Sequence, residues 1–522
     1  LSTVAGNKIS NPPWVKFQSA GWVNFPSAPT TILSLANFMV VLDTSIANVA
    51  MPTISGSTGV STSQGTWIIT SYAVAEAITI PLTGWLVRQV GEVRLFMICV
   101  VAFVLFSVCC GLSWSLESLV FFRVLQGLAG GPLIPLSSTL MLAVFPKNKS
   151  NIALSLWGMM TVVAPIFGPI LGGIISDNWH WGWIFHINFG FGILVMLGAM
   201  KVLRGRDEPT ERSRIDGIGL ALLVVFVTSF QIMIDKGREL DWFASPLVVT
   251  CAIVAAVSLI YLIIWELTDS DPVIDLSVFR SRNWLVSSIT QSLMFGIFFG
   301  NIVLTPLWLQ QQMGYTATWA GFATAPMGIL AVATSPIVGR LLPKVDPRWI
   351  VTYGMGILAV SFFMRAHLTT QADFMSVAIA MFVLGAGIPA CMITLTSLGV
   401  SDLPPERIAN GAGLQNFLRV LSMALGSSLT QTYWEHMSKA SRSELVSIIN
   451  PNAGHEIASA AVRAGIPPSS STAFFSRLVD GQAVMLATND FYALATVLMI
   501  LSIGAIWLVK RPKGPLQKVT GH

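Results

Sequence analysis

The chain has 522 residues, of which 53% are hydrophobic and only 11% are charged, and its formal net charge is +5. A soluble protein of this length needs a far more polar surface, so the composition excludes a set of soluble domains. The basic residues stand at the ends of apolar segments and form no sustained face with interleaved aromatic side chains, which argues against nucleic-acid binding.

Long apolar runs, each of the length that crosses a hydrocarbon layer about 30 Å thick, predict fourteen membrane-spanning helices. In chain order these runs cover residues 31–51, 67–87, 95–113, 116–144, 152–176, 183–203, 215–234, 244–266, 284–309, 318–342, 349–366, 374–399, 408–434 and 484–509. The predicted fold class is an all-α polytopic membrane protein. An even number of helices places both termini on one side.

The distribution of positive charge predicts which side that is. Most of the 30 Lys and Arg residues fall on the side of the termini. Arg365 is assigned to the sparser, outer side, whereas Arg123 and Arg419 lie within helices. Because positively charged loops stay in the cytoplasm, both termini are predicted to be cytoplasmic.

An internal repeat divides the chain into two halves. Residues 80–94 resemble residues 335–349, so that Pro81 matches Pro336 and Gly84 matches Gly339. The predicted domains are a cytoplasmic tail at 1–30, a six-helix bundle at 31–203, a linker with two inserted helices at 204–283, a second six-helix bundle at 284–509 and a cytoplasmic tail at 510–522. The second bundle contains a long polar periplasmic loop at about 435–483.

Ionisable side chains near the bilayer centre are costly, so each of them is a functional candidate. Asp43, Glu76 and Arg123 fall at similar depths, since a helix rises about 1.5 Å per residue. Desolvation raises the pKa of a carboxylic acid, whereas a neighbouring arginine lowers it. That competition suits reversible proton uptake. The alternatives are a purely structural Asp43–Arg123 ion pair and a water-exposed Glu76 without a coupling role.

Other polar residues inside the predicted helices are candidates for lining a substrate cavity. They are Arg419, Gln126, Asn188, Asn301 and Gln415. Arg419 has no obvious acidic partner in the second half, so it either faces a cavity or binds backbone carbonyls. Single polar residues also bond neighbouring helices, which remains the alternative for the others.

The segment VVAPIFGPILGG, residues 162–173, combines small residues at helix-packing spacing with prolines that remove backbone donors. Its conformational residues are Pro165, Gly168, Pro169, Gly172 and Gly173. Close packing with a kink suits a helix that bends during a conformational switch. An ordinary tight helix contact is the alternative.

These motifs together resemble the major facilitator superfamily, and specifically its fourteen-helix drug:proton antiporters. LDTSIANVAMPTI at 42–54 resembles the helix 1 signature, and FFRVLQGLAGG at 121–131 resembles the helix 4 motif that carries an essential arginine, here Arg123. APIFGPILGG at 164–173 resembles the antiporter motif of helix 5.

GWLVRQVGEVR at 84–94 resembles the family's helix 2–3 loop motif. Its conformational residues are Gly84, Arg88 and Gly91. Arg88 stands where the family usually has an acidic residue, so the usual charge latch to a neighbouring helix cannot form in the same way. Glu76 belongs to none of these motifs, and its coupling role rests on depth alone.

The resemblance implies a proton-coupled multidrug efflux transporter of the bacterial inner membrane, in which two bundles rock about a central cavity. Asp43 and Arg123 would couple proton uptake to the export of small hydrophobic toxic compounds. The implied partners are a periplasmic membrane-fusion adaptor (EmrA-like) and an outer-membrane channel (TolC-like). No cofactor is expected, because the proton gradient supplies the energy.

Two other functions and the outer loop remain open at this point. Export of an endogenous metabolite, siderophore or lipid would use the same machinery. A polytopic membrane enzyme is disfavoured, because the sequence contains no HExxH motif, no paired metal ligands and no nucleophile elbow. The loop at 435–483 is the predicted adaptor contact, and a mobile lid or a simple tether are the alternatives.

Overall fold

A computed structural model describes residues 28–65, 67–144, 150–203, 205, 216–269, 275–448, 463 and 468–510. The predicted tails before residue 28 and after residue 510 lie outside the described residues. The same holds for most of the predicted linker at 204–215 and for most of residues 449–467.

Helices account for almost all of the described chain, because a helix satisfies its own backbone hydrogen bonds where no water is present. The first half contains α1 Ala28–Thr58, the short α2 Thr62–Gly65, α3 Trp67–Val90, α4 Glu92–Gly111, α5 Leu116–Val144, α6 Ser150–Asn178 and α7 Trp183–Val202. Two helices follow, α8 Gly217–Glu239 and α9 Pro246–Thr268. The second half contains α10 Arg282–Gln311, α11 Ala317–Thr324, α12 Pro326–Leu341, α13 Pro347–Arg365, α14 Phe374–Val400, α15 Pro405–Ile448 and α16 Pro468–Ile506.

Within the described residues, 12 helices are long and apolar enough to cross a membrane, with α11 and α12 counted as one crossing interrupted before Pro326. Two further long helices, α3 and α15, stand outside this set, and each carries a buried charged residue, Glu76 and Arg419. Together they account for the fourteen predicted crossings. The described part of the chain contains no β-strand, which confirms the predicted all-α fold class.

The helix contacts of the first half recur in the second. In the first half α1 packs on α6 and α3 packs on α5, while in the second half α10 packs on α15 and α12 packs on α14. The halves meet along two seams, α3 against α15 and α6 against α11 and α12. Because α3 corresponds to α12 and α6 to α15, the two seams are related by a pseudo-two-fold arrangement.

The inserted helices lie at the side of this arrangement. α8 packs on α9 and also contacts α3 and α15, so it flanks one of the two seams. Thr70 of α3 donates a hydrogen bond to Asp235 of α8, and Ser428 of α15 donates one to the carbonyl of Ile234 at 2.8 Å. α9 exposes most of its apolar side chains, as expected for a helix that faces lipid.

The outer segment differs from the predicted polar loop. α15 is 44 residues long and continues to Ile448, and α16 is 39 residues long and begins at Pro468. At about 1.5 Å per residue both helices are roughly twice the thickness of a hydrocarbon layer. The ion pair of Arg442 with Asp480 joins these two helices, so the described residues of the predicted loop, 435–448 and 468–483, are helical and pair across an α15–α16 hairpin.

Small residues bring the paired helices of each half into backbone contact. A Cβ atom added to Gly168 of α6 would lie 2.1 Å from Ser45 Oγ of α1. A Cβ atom added to Gly426 of α15 would lie 2.2 Å from the carbonyl oxygen of Gly296 of α10. The α1–α6 and α10–α15 contacts therefore depend on these glycines.

We expect Gly426→Ala to lower the free energy of unfolding by about 1–3 kcal/mol, because backbone atoms on both sides of the contact have to separate. The measurement is the thermal unfolding midpoint of the purified protein in detergent. Gly413→Ala is the matched control, since it lies on the same helix with nothing within 4 Å of its added Cβ. Equal midpoints for the two variants would contradict the packing argument.

Candidate functional site

The carboxylate of Asp43 lies at the centre of the first half. Asp43 of α1 is 1% exposed, and its Oδ2 accepts a hydrogen bond from Arg123 Nη1 of α5 at 2.5 Å. Its Oδ1 accepts from Gln126 Nε2 at 3.0 Å and from Asn188 Nδ2 of α7 at 2.6 Å. Three helices thus enclose one charge, as a charge inside a membrane requires.

Arg123 is held by more than its ion pair. Its Nε donates to the carbonyl of Ile68 of α3 at 3.0 Å, and its Nη1 also donates to Gln126 Oε1 at 2.9 Å. Its guanidinium lies over the ring of Tyr72 at 4.2 Å and near that of Phe185 at 5.5 Å. These contacts fix the arginine in one place, so a change in the charge of Asp43 acts on a cation that does not move.

The structure brings Gln126 and Asn188 to Asp43 rather than to a cavity. Both side chains are 0% exposed, and Asn188 also donates to Ser107 Oγ at 2.9 Å. The sequence assigned them to a substrate cavity because it shows that a polar residue is present but not which helix it faces. They belong to the hydrogen-bond network of the predicted proton-coupling pair.

The hydrogen bonds around Asp43 depend on whether its carboxyl group is ionised. An ionised carboxylate only accepts hydrogen bonds, whereas a protonated one also donates. Asn188 Oδ1 is a buried acceptor that has no partner in the described chain, and a flipped Asn188 amide would present it to the new hydroxyl. A proton on Asp43 would therefore replace its attraction to Arg123 with a weaker contact and would rearrange the Asn188 amide beside them.

Glu76 lies at the seam between the halves, on α3 where this helix packs on α15. Its side chain is buried, and Arg123 of its own half and Arg419 of the other half both act on it electrostatically. Arg419 is 4% exposed and lies over the ring of Phe295 at 5.2 Å. The acidic neighbour of Arg419, which the sequence did not identify in the second half, is therefore provided by the first.

The conformational motifs lie at the seams as well. Gly168 and Gly172 of α6 face α1, and the carbonyl of Pro165 accepts a hydrogen bond from Ser45 at 3.1 Å. On its other side, α6 meets the second half, where a Cβ atom added to Gly321 would lie 3.1 Å from the backbone nitrogen of Ile170. Gly173 is buried in the same helix. α6 therefore contacts α1 near Asp43 on one side and the second half on the other.

The helix 2–3 motif forms the turn between α3 and α4. Gly91 has a φ of +90°, a backbone conformation that favours glycine. Gly84 lies nearest to Asn410 Oδ1 of the second half, at 3.8 Å from its added Cβ position, and Arg88 is exposed in the last turn of α3. Near this turn, Glu92 accepts a hydrogen bond from Thr139 of α5.

Two predicted cavity residues of the second half have different surroundings. Gln415 is 3% exposed and donates to the carbonyl of Leu395 at 3.4 Å, so it joins α15 to α14. Asn301 of α10 is 1% exposed and lines a narrow cavity at the seam with α6. It also accepts a hydrogen bond from Arg365, whose side chain is buried at the end of α13.

Sequence reasoning missed Arg365, Tyr72 and Ser107. Arg365 is the last residue of α13 and precedes a polar loop, so the charge pattern alone indicates an exposed position. Tyr72 and Ser107 are uncharged, and nothing in their local sequence marks them as neighbours of Arg123 and Asn188.

Breaking the Asp43–Arg123 pair tests its energetics. We expect Asp43→Asn to destabilise the protein more than Arg123→Gln, because a lone guanidinium stays charged whereas a lone carboxyl group can take up a proton. Loss of one partner of a buried pair costs about 3–5 kcal/mol. The double variant Asp43→Asn/Arg123→Gln removes both charges, so its thermal unfolding midpoint in detergent should exceed that of Asp43→Asn. A double variant that melts at or below Asp43→Asn would rule out a net charge penalty.

Comparison with known proteins supports the motif assignment. The family model described as the Major Facilitator Superfamily matches residues 33–427. The chain is 47% identical over 489 residues to the multidrug export protein EmrB of Escherichia coli strain K12, which covers 93% of this chain and 95% of that protein. It is 42% identical over 502 residues to the fatty acid resistance protein FarB of Neisseria gonorrhoeae, covering 96% of this chain and 98% of FarB.

A solved structure supports the fold. The crystal structure of a bacterial homolog of the human lysosomal transporter Spinster aligns with a TM-score of 0.53 at 16% identity, covering 92% of this chain and 97% of that one. The paired seams, the buried charges and these matches lead to one assignment. This chain belongs to the major facilitator superfamily and resembles the EmrB multidrug export proteins.

Proposed function

We propose that this protein is a proton-coupled multidrug efflux transporter, a drug:proton antiporter of the bacterial inner membrane. The observation that carries the proposal is Asp43, a carboxylate buried among spanning helices and bonded to Arg123, Gln126 and Asn188. A buried acid held by a fixed arginine is suited to binding and releasing a proton as its surroundings change. The 47% identity to a multidrug export protein supports drugs as the cargo.

In the proposed cycle, the two halves rock about the α3–α15 and α6–α11/α12 seams. Protonation of Asp43 loosens its contact with Arg123, and α1 transmits the change to α6 through Ser45, Pro165 and Gly168. Glu76 interacts electrostatically with both Arg123 and Arg419, so in this cycle it links the charge of the first half to that of the second. A cationic drug near the seam would compete with these arginines for Glu76.

A second candidate function is the export of an endogenous lipid or metabolite. The observation that favours it is the 42% identity to a protein named for fatty acid resistance. Metabolite profiling of a deletion strain separates the two functions. Loss of one secreted compound without increased drug sensitivity would favour this second candidate.

The proposal includes a tripartite assembly with a periplasmic adaptor and an outer-membrane channel. The α15–α16 hairpin is the proposed adaptor contact. Val446 and Ile448, 51% and 71% exposed at its far end, are about 40 Å along α15 from Arg419 and hence outside the hydrocarbon layer. These two apolar side chains point to different faces of α15, so each would contact the adaptor separately.

Neutralising the buried acids should impair proton coupling. We expect Asp43→Asn to abolish drug-induced proton release in energised inverted vesicles that contain this protein alone. The reason is that no carboxylate remains beside Arg123 to bind and release a proton. Glu76→Gln should reduce the protons released per drug molecule without abolishing the response. Asp490→Asn, at an exposed acid of α16, is the matched control and should behave like the unaltered protein. Undiminished release in Asp43→Asn would refute the coupling assignment.

Charges placed on the hairpin should disrupt the assembly but not the pump. We expect Val446→Asp/Ile448→Asp to reduce co-purification of the adaptor about tenfold or more, since an apolar interface loses about 1.5–3 kcal/mol per buried side chain. Proton release by the isolated pump should stay unchanged. Ser443→Asp introduces the same residue at an exposed position of the same helix and serves as the control. Unaltered co-purification would exclude this surface as the contact.

A further inference from the structure

A groove on the outside of the first half lies between the ends of α4 and α7 that are predicted to face the cytoplasm. Its volume is about 690 Å³, within the range of about 300–1,000 Å³ that is typical of small-molecule sites. Met97 and Ile98 of α4 line it together with Ala199 and Met200 of α7, and of its described lining residues only Arg94 is charged. The groove is therefore an apolar slot with one cation in its wall.

This groove opens towards lipid and lies apart from the seams between the halves. The main contacts of α4 and α7 are with helices of the first half, namely α1, α3, α5, α6 and each other. Ile98 and Met200 are 57% and 45% exposed, so the lining faces the outside of the bundle. A molecule in the groove would therefore come from the membrane rather than from the pathway between the halves.

The packing of α7 explains why this space is left open. Midway along the helix, a Cβ atom added to Gly192 would clash with Val104 of α4. Nearer the groove, a Cβ atom added to Gly198 would clash with Ile32 of α1. α7 is thus held against α4 in its middle and against α1 towards its end, which leaves the space between its last turn and α4 unfilled.

Aromatic side chains occupy the corresponding place in the second half. The repeat that relates the halves matches Arg94 with Trp349, and α13 packs on α16 as α4 packs on α7. The indole ring of Trp349 meets that of Trp507, directly after α16, edge to face with the ring centroids 5.0 Å apart. The first half therefore has a cation beside an open groove where the second half has two indole rings in contact.

Positive charge lies at the mouth of the groove. Arg94 is in the first turn of α4 and Lys201 is in the last turn of α7, and both side chains are exposed. Glu92, the acidic residue in the same turn as Arg94, accepts a hydrogen bond from Thr139 and is thereby held towards α5 rather than α7. Basic side chains between membrane helices at the cytoplasmic face attract anionic lipid headgroups.

We propose that this groove binds one anionic phospholipid of the cytoplasmic leaflet. Arg94 and Lys201 hold the phosphate through charge-assisted hydrogen bonds, and one acyl chain lies along Met97, Ile98 and Met200. Methionine adapts to the shape of such a chain, because its side chain is unbranched and flexible. The site goes beyond the proposed transport function, since the bound lipid is a partner of the protein and not its cargo.

The test measures binding of single phospholipids to the purified full-length protein by native mass spectrometry. Phosphatidylglycerol is the anionic probe, and phosphatidylethanolamine with the same acyl chains is the zwitterionic one. We expect the unaltered protein to bind phosphatidylglycerol about tenfold more tightly. Arg94→Gln/Lys201→Gln should weaken phosphatidylglycerol binding about tenfold or more and leave phosphatidylethanolamine binding within about twofold, because only the headgroup charge has lost its partners.

Arg340→Gln/Lys344→Gln is the matched control. It removes one arginine and one lysine from exposed positions between α12 and α13, on the same predicted side of the membrane, where Trp349 occupies the place of Arg94. Its affinity for phosphatidylglycerol should stay within about twofold of that of the unaltered protein.

Ile98→Trp tests the groove itself, since it keeps both charges and fills the slot with an indole ring. We expect it to weaken binding of both lipids, and it keeps the test decisive if Arg94→Gln/Lys201→Gln does not fold. A phosphatidylglycerol with a photoreactive diazirine in one acyl chain should label Met97, Ile98 or Met200 in the unaltered protein.

Equal affinity of the unaltered protein for the two lipids would overturn the proposal. So would an equal loss of phosphatidylglycerol binding in Arg340→Gln/Lys344→Gln, which would mean that total charge rather than this groove decides binding. Labelling confined to other helices would also exclude the site.

Discussion

A charge inside a membrane has to be enclosed by protein, and the Asp43–Arg123 pair imposes this requirement on the first half of the fold. α1, α3, α5 and α7 all contribute a group that touches one of its two members. The helices can reach the pair only if they pack closely, and Gly168 lets α6 approach α1 two residues from Asp43. The close packing of these helices and the burial of the Asp43–Arg123 pair therefore depend on each other.

The two halves share a fold but distribute their charges differently. The helix contacts repeat from one half to the other, as do the close glycine contacts of α1 with α6 and of α10 with α15. The first half buries a compensated ion pair, whereas the second buries Arg365 among uncharged partners. Repetition supplies two seams between the halves, and the charges buried beside these seams are unequal.

Glu76 and Arg419 connect these two systems. Each is buried on a helix of the α3–α15 seam, and each acts on the other across it. A charge interaction between the halves would change if the halves moved, so in the proposed cycle it would couple the protonation state of one half to the position of the other. α8 lies beside the same seam and forms hydrogen bonds with both α3 and α15. These bonds stabilise the seam from its outer side.

The sequence by itself indicated the long apolar helices and the family. It also indicated Asp43 and Arg123 as charges buried in the membrane, because apolar length and a charge within an apolar run are local signals. It also indicated Glu76 by depth, but not that Arg419 of the other half is its neighbour. Only the tertiary structure assigned Gln126 and Asn188 to Asp43, buried Arg365 beside Asn301, and extended α15 and α16 into the predicted outer loop. Those outcomes depend on which faces of distant helices meet, and a single sequence carries no local signal for that.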